Sequence, residues 1–517
     1  MKTLYLFLFS LSCVLLLNNT SYGQSYCNYD ELISVDHSVG EDTPFKLLVQ
    51  EDGKIMVVGT TYYGLDNNFK ASVARLDENL QSLDLSFGNE GKVQHTWDSR
   101  NTAISATLQQ DNKILLGGYQ APSNAFSTFR PYIARLNNDG SPDESWGELG
   151  SSSFGTESPT DGRGAVVGMK EFEDGSVRAL FIGSNPGICG VAQLDENGNL
   201  DTLFSEDGIH SVELPLLYWQ TDYGKGLFLE DSSMLVISKS FNSITRPMII
   251  KLNPNGSLDS TFATNGTLYI DFGIQYNYAG IHAELDSEEN LIVAATQGDS
   301  GSHKYVVFKI NSETGILDAS FGEEGIAQSI ISSISNAAHE LIIDPSNGDI
   351  YVLGTGGDGG AENAIWRINS LGEEIDNCGN TGYYQPTVQY HWGFWAAEFD
   401  TEGDMIIAGR GSTVDTTSGP NQGSNIVFPR AFFDVNVEEH TETDFSVYPN
   451  PANDLINVKL NSKDSYSHIQ ISNHLGQIIY QSTDLHSTIN VSELAKGLYN
   501  VRLSGKSGLS SQRLILN

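Results

Sequence analysis

Positive charge is scarce in this sequence. There are 28 lysine and arginine residues against 65 aspartate and glutamate residues, which gives a formal net charge of −37 at pH 7. A nucleic-acid-binding protein needs a basic surface that replaces the counterions of the phosphates. The composition therefore excludes nucleic acid as a partner. Acidity of this kind keeps a protein soluble, and attraction of divalent cations is the alternative interpretation.

Long apolar runs are scarce as well. The apolar stretch at residues 4–17 follows Lys2 and precedes the small residues around Gly23. It is too short for a membrane span, which needs roughly 18 or more apolar residues, but it has the layout of a signal peptide. We predict a signal peptide at residues 1–23, cleaved after Gly23. No later stretch reaches that length, so we expect no transmembrane segment in the mature chain.

Cysteine is the third scarcity. Removal of the signal peptide leaves three cysteines, Cys27, Cys189 and Cys378. An odd count allows at most one disulfide within the chain, so a bridge between Cys27 and Cys378 and three buried thiols both stay open. The chain has no Cys-x-x-Cys spacing, and therefore no sign of a redox pair or a zinc site.

One short motif recurs throughout the chain instead. It first reads Leu83-Asp84-Leu85-Ser86-Phe87-Gly88, and its aspartate returns at positions 143, 201, 259, 318 and 376, at intervals of 58 or 59 residues. We call it the Asp-aromatic motif. A fixed interval of this length indicates a repeat architecture. Each interval contains four short strand patterns, a hairpin turn such as Asp52-Gly53 and no helical periodicity, which is typical of a propeller blade.

The repeats predict a closed ring. The hairpin turn and the third strand each occur seven times, whereas the Asp-aromatic motif occurs six times. When the hairpin turns of the repeats are aligned, residues 32–36 correspond to the fourth, outer strand of a repeat. The N-terminal segment therefore supplies the missing outer strand and covers an open sheet edge. We therefore predict an all-β fold with a seven-bladed β-propeller at residues 24–437. The repeats resemble the delta-60 repeat family of bacterial β-propellers, which is defined by its blades and implies no particular activity.

The last part of the chain follows a different pattern. Residues 438–444 are polar and acidic, which is typical of a linker, and residues 445–517 contain short strands that predict a small β-sandwich. This unit resembles the C-terminal sorting domain of the type IX secretion system of Bacteroidota. The matching residues are Tyr448, Pro449, Asn450, Pro451, the turn at 475–477, Gly497, Leu498, Tyr499 and the terminal residues 513–516. A carbohydrate-binding sandwich is the alternative.

The resemblance to the sorting domain implies where the protein is transported. A signal peptide followed by this sorting domain implies transport across both membranes by the type IX secretion machinery, and a secreted or outer-membrane surface location. In the family the sorting domain is usually removed after export. The propeller repeats themselves imply no partner.

No catalytic residue, metal site or cofactor is predicted. Six equivalent aspartates around a ring cannot all serve one active site, and each is expected to accept backbone hydrogen bonds in its own turn. The aromatic residue that follows is expected to pack between blades. Turns such as Asp195 to Asp201 have oxygen ligands at alternate positions, but they lack the glycine spacing of a calcium loop. His282, His303, His339 and His391 form no metal-binding motif, and we expect them to be solvated or packed.

Aromatic residues mark the candidate binding face. They are concentrated in the variable loops, and exposed aromatics on a rigid scaffold suit sugar stacking or protein anchoring. The predicted ligand-binding residues are Tyr218, Trp219, Tyr390, Trp392, Phe394 and Trp395. We expect a secreted or cell-surface protein that binds a glycan or a protein. The alternative is an extracellular propeller enzyme, a polysaccharide hydrolase or lyase that uses carboxylates or histidines at the axis.

Overall fold

The structure is a computed structural model. It describes residues 27–29, 33–35, 41–63, 68–78, 80, 82–97, 100–121, 129–155, 163–184, 187–214, 217–218, 224–241, 245–270, 280–299, 302–329, 337–356, 362–377, 380–381, 383–384, 391–411, 424–433, 445–460, 468–473, 478–483, 488–492, 494–505 and 508–516. Within these ranges every regular secondary-structure element is a β-strand. The all-β prediction is therefore confirmed.

Two short strands, β1 (Cys27–Tyr29) and β2 (Ile33–Val35), come first, and three sheets follow them. Sheet 1 contains β3 (Glu41–Val49), β4 (Ile55–Tyr63), β5 (Asn68–Leu76) and β6 (Lys92–His95). Sheet 2 contains β7 (Arg100–Asn101), β8 (Ser105–Leu108), β9 (Ile114–Ala121), β10 (Arg130–Leu136) and β11 (Ser151–Ser153). Sheet 3 contains β12 (Arg163–Glu171), β13 (Val177–Ser184), β14 (Ile188–Leu194) and β15 (Ile209–Glu213).

Four more sheets continue the series. Sheet 4 contains β16 (Leu217–Tyr218), β17 (Lys225–Phe228), β18 (Met234–Phe241), β19 (Thr245–Leu252) and β20 (Thr267–Tyr269). Sheet 5 contains β21 (Ile281–Leu285), β22 (Leu291–Asp299), β23 (Ser302–Ile310) and β24 (Ile326–Gln328). Sheet 6 contains β25 (Ala337–Ile343), β26 (Ile350–Gly356) and β27 (Glu362–Ile368); after the separate pair β28 (Asp376–Asn377) and β29 (Asn380–Thr381) it ends with β30 (Tyr383–Tyr384). Sheet 7 contains β31 (His391–Phe399), β32 (Met405–Gly411) and β33 (Ser424–Phe433).

The two ends of this series meet in sheet 7. Both β1 and β2 pair antiparallel with β33, with Cys27 opposite Phe433 and Ile33 opposite Val427. Val35 is fully buried in a cluster that also contains residues of sheets 1 and 7. The prediction that the N-terminal segment supplies an outer strand is confirmed by this pairing.

Buried apolar residues join neighbouring sheets all the way round. Each of seven clusters is formed by two sheets that follow one another, and one of them joins sheet 7 to sheet 1. The innermost strands, β3, β8, β12, β17, β21, β25 and β31, contact one another in the same order, and β31 contacts β3. The inner strands therefore surround a common axis.

The Asp-aromatic motif forms a tight turn, as predicted. The backbone N–H of Ser86 donates to Asp84 Oδ1 at 3.0 Å, and Thr261 and Ser320 make the same bond to the aspartates of their repeats. The third strand adds a partner that we did not predict. A guanidinium from that strand pairs with the aspartate, at 2.9 Å for Arg75 and Asp84.

The aromatic residue of the motif packs between sheets, also as predicted. Phe87, Trp146, Phe262 and Phe321 are 0–1 % exposed, and each belongs to a cluster shared with the next sheet. Phe204 is partly buried against the cluster of sheets 3 and 4. The four fully buried rings contact a turn glycine of the following repeat, where a side chain has no room. The motif therefore links successive repeats.

The C-terminal residues form two further sheets. The strands are β34 (Phe445–Tyr448), β35 (Leu455–Leu460), β36 (His468–Asn473), β37 (Ile478–Ser482), β38 (Thr488–Asn490), β39 (Gly497–Gly505) and β40 (Gly508–Leu516). One sheet has the order β34-β35-β38 and the other β37-β36-β39-β40. Both contribute to a single core that includes Phe445, Ile456, Val501 and Leu514.

Candidate functional site

Four of the inner strands are irregular at the same point. In β3, β12, β25 and β31 the pairing with the next strand skips one residue. Such a β-bulge redirects a side chain and is common beside functional sites. The skipped residues are Phe45, Val167, His339 and Trp395, and all four line a cavity at the axis.

This axial cavity receives residues from all seven inner strands. Its volume is about 170 Å³. Its lining includes the charged or polar residues Lys46, Lys225, His282 and Glu284 and the aromatic residues Phe45 and Trp395. A concave site with a few convergent polar groups is the usual form of a small-ligand site.

The charged residues form a paired network. We call Lys46, Lys225, His282, Glu284, Glu340 and Glu398 the axial cluster. Lys46 Nζ lies 3.0 Å from Glu398 Oε2, and Lys225 Nζ lies 2.9 Å from Glu284 Oε1 and 4.0 Å from Glu340 Oε1. His282 Nδ1 lies 3.5 Å from the same oxygen of Glu340. Five different strands contribute to the network.

The repeat structure does not dictate these residues. Lys46, Ser105, Gly168, Lys225 and His282 each lie seven residues before the turn residue with positive φ in their own hairpin. Scaffold positions, such as the aspartate of the Asp-aromatic motif, keep one residue type from repeat to repeat. This position holds lysine, serine, glycine, lysine and histidine in sheets 1 to 5, so the repeat does not fix its residue type.

Three members of the axial cluster, Glu340, Lys46 and Lys225, are held in their ionised state. Burial would raise the pKa of Glu340, but the Lys225 charge and the hydrogen bond with His282 outweigh it and lower the pKa to about 2. Burial likewise opposes the charge on Lys46 and Lys225, yet the surrounding carboxylates raise the pKa of both. Groups with such pKa values are strong hydrogen-bonding partners and poor agents of proton transfer near neutral pH.

His339 has different surroundings. It is 8 % exposed, and its ring stacks on Trp395 with centroids 4.1 Å apart and an angle of 15° between the planes. Burial, followed by the proximity of His282, lowers the pKa of His339 to about 3, so the imidazole is neutral at pH 7. Among the residues that the structure describes, none forms a hydrogen bond with its ring nitrogens. One nitrogen donor and one acceptor therefore remain for a ligand.

The structure describes the six predicted ligand-binding residues to different extents. Trp395 lines the axial cavity, whereas Phe394 is 1 % exposed in the core between sheets 6 and 7, so its prediction as a ligand-binding residue is wrong. The pairing of β31 with β32 is bulged on both sides of Phe394. Trp219 and Tyr390 lie outside the described residues. Only the backbones of Tyr218 and Trp392 are described, in β16 and β31.

The sorting-motif residues lie near the chain end. Asn450 Oδ1 accepts a hydrogen bond from Ile515 N at 2.9 Å, and Ala452 N donates to Ile515 O at 2.8 Å, which joins this turn to β40. Tyr448 is half-exposed, and the bonds before Pro449 and Pro451 are cis. In a second group, Gly497, Leu498 and Tyr499 begin β39, and the Tyr499 hydroxyl donates to Ala495 O at 2.7 Å.

Other expectations concern turns and cysteines. Asp195 accepts bonds from the backbone of Asn197 and Asn199, and Gly198 N donates to Asp195 O, so the turn interpretation is confirmed there. In the described ranges, no three His, Cys, Asp or Glu side chains are grouped to hold a metal ion.

Cys189 is buried with a free thiol, and burial raises its pKa. The proposed bridge from Cys27 to Cys378 falls outside the side chains that are described, as does the signal peptide.

The axial cluster is the feature that the sequence analysis missed. His282 and His339 were expected to be solvated or packed, and both line the axial cavity. The available signal was the position seven residues before the hairpin turn in sheets 1 to 5, where the residue type is not kept from repeat to repeat. In the described part of the chain, no helix has the length and apolar character of a membrane span.

Comparison with protein families gives two matches. Residues 446–517 match the Secretion system C-terminal sorting domain, and residues 50–87, 109–145 and 231–262 match the family described as a domain of unknown function (DUF5122) beta-propeller. The fold and these matches define a β-propeller protein with a C-terminal export signal. The chain is a β-propeller protein with a type IX secretion sorting domain, and this domain directs it to the cell surface or the extracellular space.

Solved structures give more distant similarities. Polysaccharide lyase Uly1 is 10 % identical, with 79 % of this chain and 93 % of that chain covered and a TM-score of 0.44. The β-propeller domain of the Trilobed protease from Pyrococcus furiosus is 11 % identical, with coverages of 78 % and 94 % and a TM-score of 0.37. An α-L-arabinofuranosidase from Fusarium graminearum is 9 % identical, with coverages of 67 % and 98 % and a TM-score of 0.40. No curated protein sequence matches this chain.

Proposed function

We propose the following organisation of the chain. Residues 1–23 are a signal peptide, and residues 24–437 form a seven-bladed β-propeller in which each of sheets 1 to 7 is one blade. Residues 438–444 are a linker, and residues 445–517 are the sorting domain, folded as a small β-sandwich. The seven clusters between successive sheets and the pairing of β1 and β2 with β33 support the blade count. The single core shared by the last two sheets supports the sandwich.

We propose that the exported protein binds a ligand, a glycan or a protein, through the axial cavity. The observation that carries this proposal is the buried, neutral His339 stacked on Trp395, with ring nitrogens that no described residue satisfies. Neither ring nitrogen belongs to the buried side-chain atoms that lack a partner, so each can be reached from the cavity and can form a hydrogen bond with a ligand there. Tyr390, Trp392, Tyr218 and Trp219 are proposed to contribute to ligand binding as well.

The ionisation of Glu340, Lys46 and Lys225 favours binding over catalysis. A hydrolase needs a carboxylic acid that releases its proton near the working pH, and a lyase needs a base that accepts one. Glu340 has a lowered pKa, and Lys46 and Lys225 have raised values, so all three keep their charge. A polysaccharide-degrading enzyme is the second candidate function, because carboxylates and histidines do meet at the axis.

A binding screen tests the proposal. The chain from residue 24 to 517 is applied to a glycan array and, as bait, to an extracellular protein fraction, and each hit is repeated with Trp395→Ala. Loss of the stacking ring should cost about 1 to 3 kcal/mol of binding free energy, whereas Trp395→Phe, which keeps an aromatic face, should lose less. Hits that bind Trp395→Ala as well as the unmodified protein would contradict the axial site.

A turnover assay separates the two candidate functions. The unmodified protein is incubated with a panel of polysaccharides, and new reducing ends and the absorbance of unsaturated products are measured. We expect neither signal. A signal that disappears in Glu340→Gln or His282→Ala would replace the binding proposal by an enzymatic one.

A further inference from the structure

The axial cavity also specifies the chemical class of its ligand. This inference rests on the proposed function, namely that the cavity is a ligand site. Because the inner strands of all seven sheets enclose it, a ligand enters along the axis. The cavity volume of about 170 Å³ leaves room for several water molecules, and therefore for a small polar ligand. A sugar ring with its hydroxyl groups is a ligand of that kind.

Hydroxyl groups suit the polar lining. Lys46 and Lys225 use one close ion pair each, with Glu398 and Glu284. An ammonium group has three donors, and a carboxylate has about four acceptor positions, so the network can accept and donate further bonds. A sugar hydroxyl both donates and accepts, and therefore bonds to either kind of group without breaking an existing pair. The neutral His339 ring offers one donor and one acceptor in addition.

The charge of the axial cluster discriminates between sugars. Three carboxylates, Glu284, Glu340 and Glu398, face two ammonium groups, Lys46 and Lys225. A ligand carboxylate meets this surplus of negative charge. A ligand amine has to displace Lys46 or Lys225 from the carboxylates that hold them. An uncharged sugar does neither.

We infer that the axial cavity binds a single uncharged sugar unit, at the end of a glycan chain or as a free monosaccharide, and excludes uronic acids. The stacked pair of Trp395 and His339 lies against the sugar, and the axial cluster bonds to its hydroxyls. Exclusion of uronic acids follows from the surplus carboxylate, and recognition of hydroxyls follows from His339.

Matched sugars test the inference on the full chain without its predicted signal peptide. The probes are galactose, glucose and mannose, each with its uronic acid and its 2-amino form, and binding is followed by ligand-observed NMR and titration calorimetry. In at least one of the three series the uncharged sugar should bind, and its uronic acid should bind more weakly by a factor on the order of ten. Equal or tighter binding of the uronic acid or the amino sugar in each series that binds would overturn the inference.

Two variants assign the effect to named residues. Glu398→Gln removes one carboxylate from the axial cluster, at a side chain that is 34 % exposed, and should narrow the difference in affinity between a sugar and its uronic acid. His339→Gln keeps a donor and an acceptor and should retain more affinity than His339→Leu, which keeps neither. Melting temperatures show whether each variant is folded, and Glu398→Gln remains informative where the His339 variants unfold. An unchanged difference in Glu398→Gln would overturn the role of charge.

The inference and the proposed function fail in different ways. If the screens find a ligand whose binding depends on Trp395 but none of the nine sugars binds, the cavity is a ligand site and the assigned class is wrong. If no ligand depends on Trp395, the proposed function itself fails.

Discussion

At the scale of single residues, one glycine joins each of several repeats to the aromatic ring of the repeat before it. Gly140 has a φ of +86°, and a Cβ there would lie 2.6 Å from Val93 Cγ2 and 2.9 Å from the Phe87 ring. Phe87 is fully buried, and Arg75 lies over its face at 4.7 Å. The guanidinium in turn holds Asp84. One turn glycine therefore supports an aromatic ring, a cation and a carboxylate.

Gly140→Ala should destabilise the propeller strongly. The strained φ and the forced contact with Phe87 together should cost about 2 to 4 kcal/mol of unfolding free energy. Gly403→Ala is the matched control, because Gly403 also has a positive φ, +90°, but nothing lies within 4 Å of its added Cβ. This control should cost about 1 kcal/mol, for the backbone strain alone. Denaturant unfolding of both variants measures the difference, and equal losses would show that the Phe87 contact is unimportant.

The roles of residues that recur in the repeats were predictable from the sequence, and the roles of residues that do not recur were not. The turn role of Asp84 and the buried place of Phe87 follow from their recurrence at fixed intervals. Arg75 was visible as a recurring third-strand residue, but its pairing with Asp84 depends on the three-dimensional turn. The meeting of His339 with Trp395 was hidden because the two residues lie on different sheets, and because single-residue bulges turn both towards the axis.

At the scale of elements, the N-terminal strands close sheet 7. Because β1 and β2 are the outer partners of β33, they cover its backbone N–H and C=O groups on that side. Val35 also fills a core between sheets 7 and 1. Strand count and register along the repeats predicted this closure, since the hairpins outnumbered the Asp-aromatic motifs by one. The bulges of the inner strands were not predictable, because no turn residue or spacing marks them.

Deletion of residues 24–40 should open the ring. The exposed edge of β33 would then be free to pair with other chains, so we expect aggregation or a large drop in melting temperature. Val35→Ala tests the packing part separately, because it leaves the backbone pairing of β2 intact and should cost about 1 to 2 kcal/mol. Thermal unfolding and light scattering follow both variants. A deletion variant that stays monomeric with an unchanged melting temperature would refute the closure.

At the scale of the whole molecule, the chain combines a repeat scaffold and a C-terminal export signal. The repeated sheets fix an axis and allow individual residues there to differ, while the C-terminal unit matches a secretion sorting domain over residues 446–517. The net charge of −37 comes from the rest of the chain, because residues 445–517 carry six lysine and arginine residues against four aspartate and glutamate residues. This negative charge opposes association with other acidic surfaces. Both resemblances were visible in the sequence, because each depends on motifs that occur in a fixed order. The ligand was not, because a blade repeat is compatible with many functions.

Export should depend on the C-terminal unit and not on the propeller. Truncation before Phe445 removes all of β34 to β40 and their shared core, but none of the clusters that join sheets 1 to 7. We therefore expect the truncated protein to fold and to accumulate in the periplasm of its host, because the machinery of the outer membrane has nothing to recognise. Cell fractionation and immunoblotting of culture medium, cell surface and periplasm measure the distribution.

A milder variant, Asn450→Ala, removes only the acceptor of the Ile515 bond and should reduce export without changing the propeller. Normal release of the truncated protein would show that the sorting domain is dispensable, and its degradation in the periplasm would show that the propeller does not fold alone.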